Sequence, residues 1–136
     1  MNQEGAKAIS YRRAWMAASA AFLVHNLEET VTDLPAWSAA HPVLPWLAWL
    51  ERPGAFAVAA GILSLGLGCV AIYAIATGPS WSGRAVAAFA IAMLINAASH
   101  AALSVATSSI MPGVVTATVV IIPVMAGVLW SIRRRA

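Results

Sequence analysis

Four long stretches of this chain, Ala14–Val24, Gly54–Thr77, Ala85–Thr107 and Val114–Ile132, contain no Asp, Glu, Lys or Arg. A soluble domain carries charge on about a quarter of its residues and rarely leaves runs of this length uncharged. Of the 136 residues, 61% are apolar and 10% charged, so lipid rather than water is the expected solvent for most of the chain. A helix of roughly 20 residues crosses about 30 Å of hydrocarbon. The last three runs reach or approach that length, and the first does so if it continues through His25, Glu28 and Glu29. The expected fold is all-α: an integral membrane four-helix bundle forming one transmembrane domain over residues 1–136, with spans near 12–33, 54–77, 84–108 and 113–133.

A cleaved signal sequence competes for the N-terminus, because Lys7, Arg12 and Arg13 precede an apolar run. That run leads into His25-Asn26-Leu27-Glu28-Glu29, not into a small-residue cleavage site, so a retained span is expected. Cys69 is the single cysteine and falls inside the second span, which leaves no intrachain disulfide and no thiolate metal cluster.

Charge sets the orientation. With the N-terminus inside, Lys7, Arg12, Arg13, Arg84, Arg133, Arg134 and Arg135 all fall at cytoplasmic ends, and Arg52 alone falls outside. Cations flanking spans are retained on the cytoplasmic side, so both termini are expected there. The basic balance thus reads as orientation and contact with anionic headgroups; the interleaved aromatics and cations of a nucleic-acid groove are absent, and no nucleic-acid partner is expected.

The first helix is expected from about Arg12 to Asp33, with Pro35 stopping it. The connection that follows holds Trp37, Trp46 and Trp49 among Pro35, Pro42 and Pro45, a composition suited to the membrane surface, and a short interfacial helix is expected near Val43–Leu50. Gly61, Ser64 and Gly68 share a stripe of the second span and predict a close helix approach.

The informative residues are those a bilayer should reject. His25, Glu28 and Glu29 stand at i, i+3 and i+4, so they project from one side of the first helix, with Ala18 and Ala21 on the same stripe leaving room beside them. Ionisable groups in a span are costly unless they face protein or water, so this face should point into the bundle. Asn96, Ser99, His100 and Thr107 share a face of the third span. His25 is 13 residues beyond Arg12 and His100 is 16 beyond Arg84, which puts them about 20 and 24 Å from the cytoplasmic edge, close enough in depth to meet. Thr116 and Thr118 fall at similar depth on the fourth span, so the polar residues collect in a cavity in the outer half of the membrane.

Two chemistries fit this set. In one, His25, Glu29 and His100 bind a divalent metal such as zinc, iron or manganese, with Glu28 as a further ligand or general base. In the other, no metal is bound and a His–Glu pair moves protons, low dielectric bringing the proton affinities of carboxyl and imidazole together. A lone His on an apolar helix is ordinarily a satisfied interhelical hydrogen-bonding group, and either histidine alone reads that way. His-x-x-Glu-Glu with a depth-matched second histidine is harder to account for by packing. Glu51 and Arg52 read as a solvated loop pair, and Asp33 as interfacial.

His25-Asn26-Leu27-Glu28-Glu29, the later His100 and the Pro112-Gly113 turn resemble the bacterial membrane family named for its HxxEE motif. The resemblance spans most of the chain. In that family the pair is typically written Tyr-x-Pro-Gly; Ile110 stands here where the tyrosine would be, and Ser108 or Ser109 would have to supply any hydroxyl. The resemblance implies an enzyme of unknown reaction in the bacterial inner membrane, with His25, Glu28, Glu29 and His100 at its matching positions.

The expected function is an intramembrane enzyme that admits a lipophilic small molecule between its helices. Its reaction would be isomerisation or cyclisation by proton transfer, or metal-assisted hydrolysis or oxidation. Glu28 or Glu29 would act as acid or base, His25 and His100 as metal ligands or proton partners, and Asn96 as a polarising or orienting group. A small transporter or ion-binding protein using the same residues as a relay is the alternative, and an accessory subunit of a membrane complex the third. The bilayer and the lipophilic substrate are the expected partners, and the chain length leaves a homo-oligomer open.

Overall fold

The computed structural model describes residues 3–42, 52 and 54–134, which are all-helical where regular, with no strand among them. Five helices follow in order: α1 Gln3–Val31, α2 Leu34–Ala40, α3 Ala55–Thr77, α4 Ser82–Ala106 and α5 Val114–Arg133. Three of them, α3, α4 and α5, are long and apolar enough to cross a membrane. α1 is longer, at 29 residues, but carries Arg12 and Arg13 about a third of the way along and Glu28 and Glu29 near its end.

The first helix begins at Gln3, nine residues before the expected start at Arg12, and ends at Val31, two residues before the expected end. Asp33 takes a left-handed conformation, φ 58°, and its carboxylate accepts the Ala36 N–H at 3.2 Å. Asp33 therefore caps a new helix, and Pro35 occupies the first turn of α2, where its missing N–H costs nothing. The proline begins a helix here rather than only ending one. The interfacial helix anticipated at Val43–Leu50, and Glu51 of the loop pair, lie outside the described residues.

α3 stops at Gly78, whose φ of 58° lets its N–H bond to the Ala74 carbonyl. α5 widens into a π-turn at Ala117–Ile121, where the Ile122 N–H reaches back to the Ala117 carbonyl. Pro123 follows at once; it has no N–H to give the preceding turn, and the extra residue of the π-turn makes room for its ring.

Packing follows small residues. α1, α4 and α5 enclose a core of Ala14, Ala18 and Ala21 against Val86 and Ala90 and against Ile121 and Met125. The alanines let the backbones approach, so the helices meet through close dispersion contacts. The indole N–H of buried Trp15 donates to Ser82 Oγ at 2.8 Å, tying the middle of α1 to the start of α4. α3 packs along α1 and is tied to it by Asn26 Nδ2, which donates to Ser64 Oγ at 2.9 Å. The expected close approach along Gly61 and Gly68 does not form: a methyl group at either would meet nothing within 4 Å, and only Ser64 of that stripe bonds across. The outward faces remain apolar, with Leu65, Ile95 and Val105 all more than 60% exposed at 73%, 66% and 80%.

Candidate functional site

The end of α1 carries His25, Glu28 and Glu29, and the helix repeat separates their directions. From His25, Glu29 is turned about 40° to one side and Glu28 about 60° to the other. Glu29 faces inward and is 8% exposed; Glu28 is half-buried at the start of α5. The two glutamates therefore do different things.

Glu29 accepts from His100 and lies beside His25. Its Oε1 lies 3.0 Å from His100 Nε2 and 3.5 Å from His25 Nε2. The two imidazoles meet edge to face with centroids 4.9 Å apart, so the depth match between α1 and α4 does bring them together. Both are almost fully enclosed, at 1% and 2% exposure. His25 is held at each ring nitrogen: Nδ1 donates to Thr116 Oγ1 at 2.9 Å, and Asn96 Nδ2 donates to Nε2 at 2.9 Å. Thr116 Oγ1 in turn donates to the Gly113 carbonyl at 3.4 Å, leaving its lone pairs for the His25 proton. This chain of donors places the His25 proton on Nδ1 and leaves Nε2 as a lone pair. The Nδ1 of His100 is buried with no hydrogen-bond partner among the described residues.

Glu28 caps α5 from across the bundle. Its carboxylate accepts the backbone N–H of Thr116 at 2.7 Å and of Val115 at 3.3 Å, two of the donors that a helix start leaves free. A carboxylate there also meets the positive end of the helix dipole. Glu28 was expected as a ligand or base; its observed contacts position α5, and with it Thr116 and the His25 ring.

Gly113 is the residue that lets the site close. At φ 89° it adopts a conformation other residues avoid, and a Cβ there would sit 2.8 Å from Glu29 Cγ, 2.8 Å from His100 Cε1 and 3.0 Å from His25 Cε1. The Pro-Gly turn thus presses its backbone onto all three side chains. Sequence reasoning noted the pair but not this contact, because the path of the turn is set by tertiary packing.

The other anticipated residues separate. Asn96 is in the site. Ser99 is exposed and bonds only to its own helix, at the Asn96 carbonyl, and Thr118 likewise bonds the Val114 carbonyl. Thr107 bonds the Leu103 carbonyl and shares a hydrogen bond with Ser109, whose Oγ accepts the Trp37 indole N–H at 2.9 Å. Ser109 is therefore engaged in seating α2 on the α4–α5 turn, and Ile110 is 80% exposed. Asp33 is spent on capping α2.

His25, Glu29 and His100 form a buried group able to hold a metal ion, each offering one ligand atom, all within 4.8 Å of one another. Donors on a tetrahedral ion at about 2.0–2.1 Å stand roughly 3.3 Å apart, and the 3.0 and 3.5 Å separations around Glu29 Oε1 bracket that value. The Thr116 bond to His25 Nδ1 is the outer support that metal-bound imidazoles ordinarily have.

Beside this group a cavity of about 320 Å³ opens between α1, α3 and α4. His25, Asn26, Glu29 and Asn96 make its polar floor, and its walls are apolar, from Phe22 and Met93 to Phe56 and Leu63.

No curated protein and no solved structure was found to match the chain. The family described as "Protein of unknown function with HXXEE motif" matches residues 15–128 of the 136, His25, Glu28, Glu29, His100 and Gly113 among them, and the chain belongs to that family.

Proposed function

We propose that this chain is a multi-pass membrane enzyme in which His25, Glu29 and His100 bind one divalent metal, zinc or iron, beside a cavity that receives a lipophilic small molecule. The observation that carries this reading is the convergence of His25 Nε2, Glu29 Oε1 and His100 Nε2 in a buried space, with the His25 proton drawn to its far nitrogen by Thr116. Two imidazoles and one carboxylate are a donor set common to catalytic zinc and to non-haem iron. Such an ion supplies Lewis acidity, activation of a bound water or, for iron, oxidation chemistry.

The chain's own residues supply the rest. Glu29 would bind the ion beside the two imidazoles and balance its charge. Asn96, whose amide reaches His25 Nε2 at 2.9 Å, would turn to the cavity when that nitrogen takes the ion. Glu28 and Gly113 fix the α5 start, so that the imidazoles cannot turn away. Taking α1 as a fourth span, at about 44 Å long, puts the site within the bilayer, excludes bulk water and strengthens each electrostatic contact. The bias of cations toward the ends of α1, α4 and α5 favours cytoplasmic termini and a site in the outer half.

A relay for transport needs polar lining on both sides of the site. On the cytoplasmic side Ala14, Ala18, Val86 and Ala90 fill the axis, each at most 4% exposed, which favours a closed-ended pocket. An accessory subunit would leave its polar face for a partner, whereas α4 and α5 of this chain already cover it.

Elemental mass spectrometry of detergent-purified protein tests the proposal. About one zinc or iron per chain is expected, lost in His100→Ala and in Glu29→Gln; a folded protein that takes up no metal from a replete medium would sink it.

A further inference from the structure

The cavity beside the proposed metal group has a polar floor, apolar walls and a side opening, and together these define a substrate class. We infer that it binds an uncharged, medium-chain alcohol, entering from the lipid between α3 and α4 with its hydroxyl on Glu29 and Asn96. The inference rests on the proposed enzyme reading and adds to it the polarity, size and route of the substrate.

Route comes first. α3 leans on α1 and is tied to it through Asn26 and Ser64, so a gap runs along the side of α3 that faces α4. The rim residues Leu63 of α3 and Ala92 of α4 line the cavity and are also exposed on the outer surface of the bundle. With α3 and α4 both spanning, that opening meets acyl chains rather than water, and a substrate reaching it must be soluble in lipid.

Polarity follows from unused hydrogen-bonding capacity. Glu29 Oε1 accepts from His100 Nε2 at 3.0 Å, while no hydrogen bond reaches Oε2 among the described residues. Asn96 spends one amide hydrogen on His25 and keeps a second N–H and its carbonyl oxygen. A carboxylate oxygen and an amide N–H side by side are matched by one group that both donates and accepts, a hydroxyl. A carboxylate ligand has no proton to give Glu29 Oε2, and no Lys or Arg lines the cavity to hold it. An alkane would leave the floor unpaired, which costs more than a lost contact because the floor is largely desolvated.

Size follows from volume. At about 30 Å³ for each water-sized group, a space of about 320 Å³ holds roughly ten heavy atoms, at the small end of ligand pockets. Long acyl chains and sterol-sized rings exceed it.

The test uses the full chain in phosphatidylcholine nanodiscs with a diazirine derivative of decan-1-ol, followed by peptide mapping. Labelling is expected on the α3 segment from Phe56 to Leu63 and on α4 around Ala92, displaced by decan-1-ol roughly tenfold better than by decane, about the worth of one good hydrogen bond. Ala59→Trp should fill the cavity and abolish that labelling while metal content stays unchanged; Leu63→Trp at the exposed rim serves if the first variant does not fold. Label spread evenly over every outward face, or equal competition by decane, overturns the inference. If metal content stands while labelling is diffuse, the alcohol pocket fails and the metal reading survives. Confined, displaceable labelling in a chain that binds no metal gives the reverse.

Discussion

Replacing Gly113 with alanine should damage the site more than the same change at any other glycine among the described residues. Two costs add. The backbone at φ 89° lies in the left-handed region, where a side chain costs roughly 1–2 kcal/mol. The new Cβ would also stand 2.8 Å from both Glu29 Cγ and His100 Cε1 and 3.0 Å from His25 Cε1, and forcing a methyl into a packed site costs typically 1–3 kcal/mol. The sum is about 2–5 kcal/mol. Gly78→Ala is the matched control, because Gly78 also has positive φ, 58°, yet a Cβ there meets nothing within 4 Å. Gly78→Ala should therefore carry the backbone cost alone. The excess in Gly113→Ala, about 1–3 kcal/mol, corresponds to roughly 5- to 150-fold in an equilibrium constant. Unfolding midpoints in detergent and zinc titrations on both variants read it out. Gly113→Ala should unfold earlier and bind zinc more weakly, while Gly78→Ala binds zinc as the parent does. Equal midpoints and equal zinc affinity for the two variants would refute the packing of the turn onto the site.

Other perturbations separate the roles of neighbouring residues. Glu28→Ala removes the acceptor for two α5 backbone donors and should cost about 1–2 kcal/mol of stability while metal stoichiometry persists at weaker affinity, measured by thermal unfolding beside metal titration; loss of all metal in a well-folded Glu28→Ala protein would instead make Glu28 a ligand. Thr116→Val keeps the shape of the side chain but removes the partner of His25 Nδ1, and metal affinity should fall roughly 10- to 100-fold with the helical circular dichroism unchanged. Trp15→Phe breaks the buried bond to Ser82 at the opposite end, so a loss of about 1 kcal/mol in stability with full metal content is expected; a change in metal affinity would couple two ends that the structure keeps apart.

Much of the helix arrangement was legible because charge is so sparse. The uncharged runs mark α3, α4 and α5 to within two residues or so of their observed limits, and Gly78 and Pro79 mark the break between the first two. The depth match of His25 and His100 needed only two cationic anchors and a constant rise. The division of labour between Glu28 and Glu29 was not legible, since adjacent residues on one helix share a depth and only the position of α5 decides which faces the histidines. Pro35 was read as a stop because its effect on a preceding helix is local, whereas its place in the first turn of α2 depends on Asp33 adopting a left-handed cap. The stripe of Gly61 and Gly68 suggested close packing, but small residues permit an approach without requiring one, and α3 leans on α1 through Ser64 instead. Thr116 entered as one more polar residue at the right depth; its bond to His25 depends on the Glu28 cap, and no spacing rule connects residues so far apart in sequence.

X-ray absorption at the metal edge of the loaded protein tests the central claim most directly. Two imidazole nitrogens and at least one oxygen at about 2.0–2.1 Å are expected, with one imidazole lost in His100→Ala. A spectrum with oxygen ligands alone, or one unchanged by His100→Ala, would contradict a metal centre built from His25, Glu29 and His100.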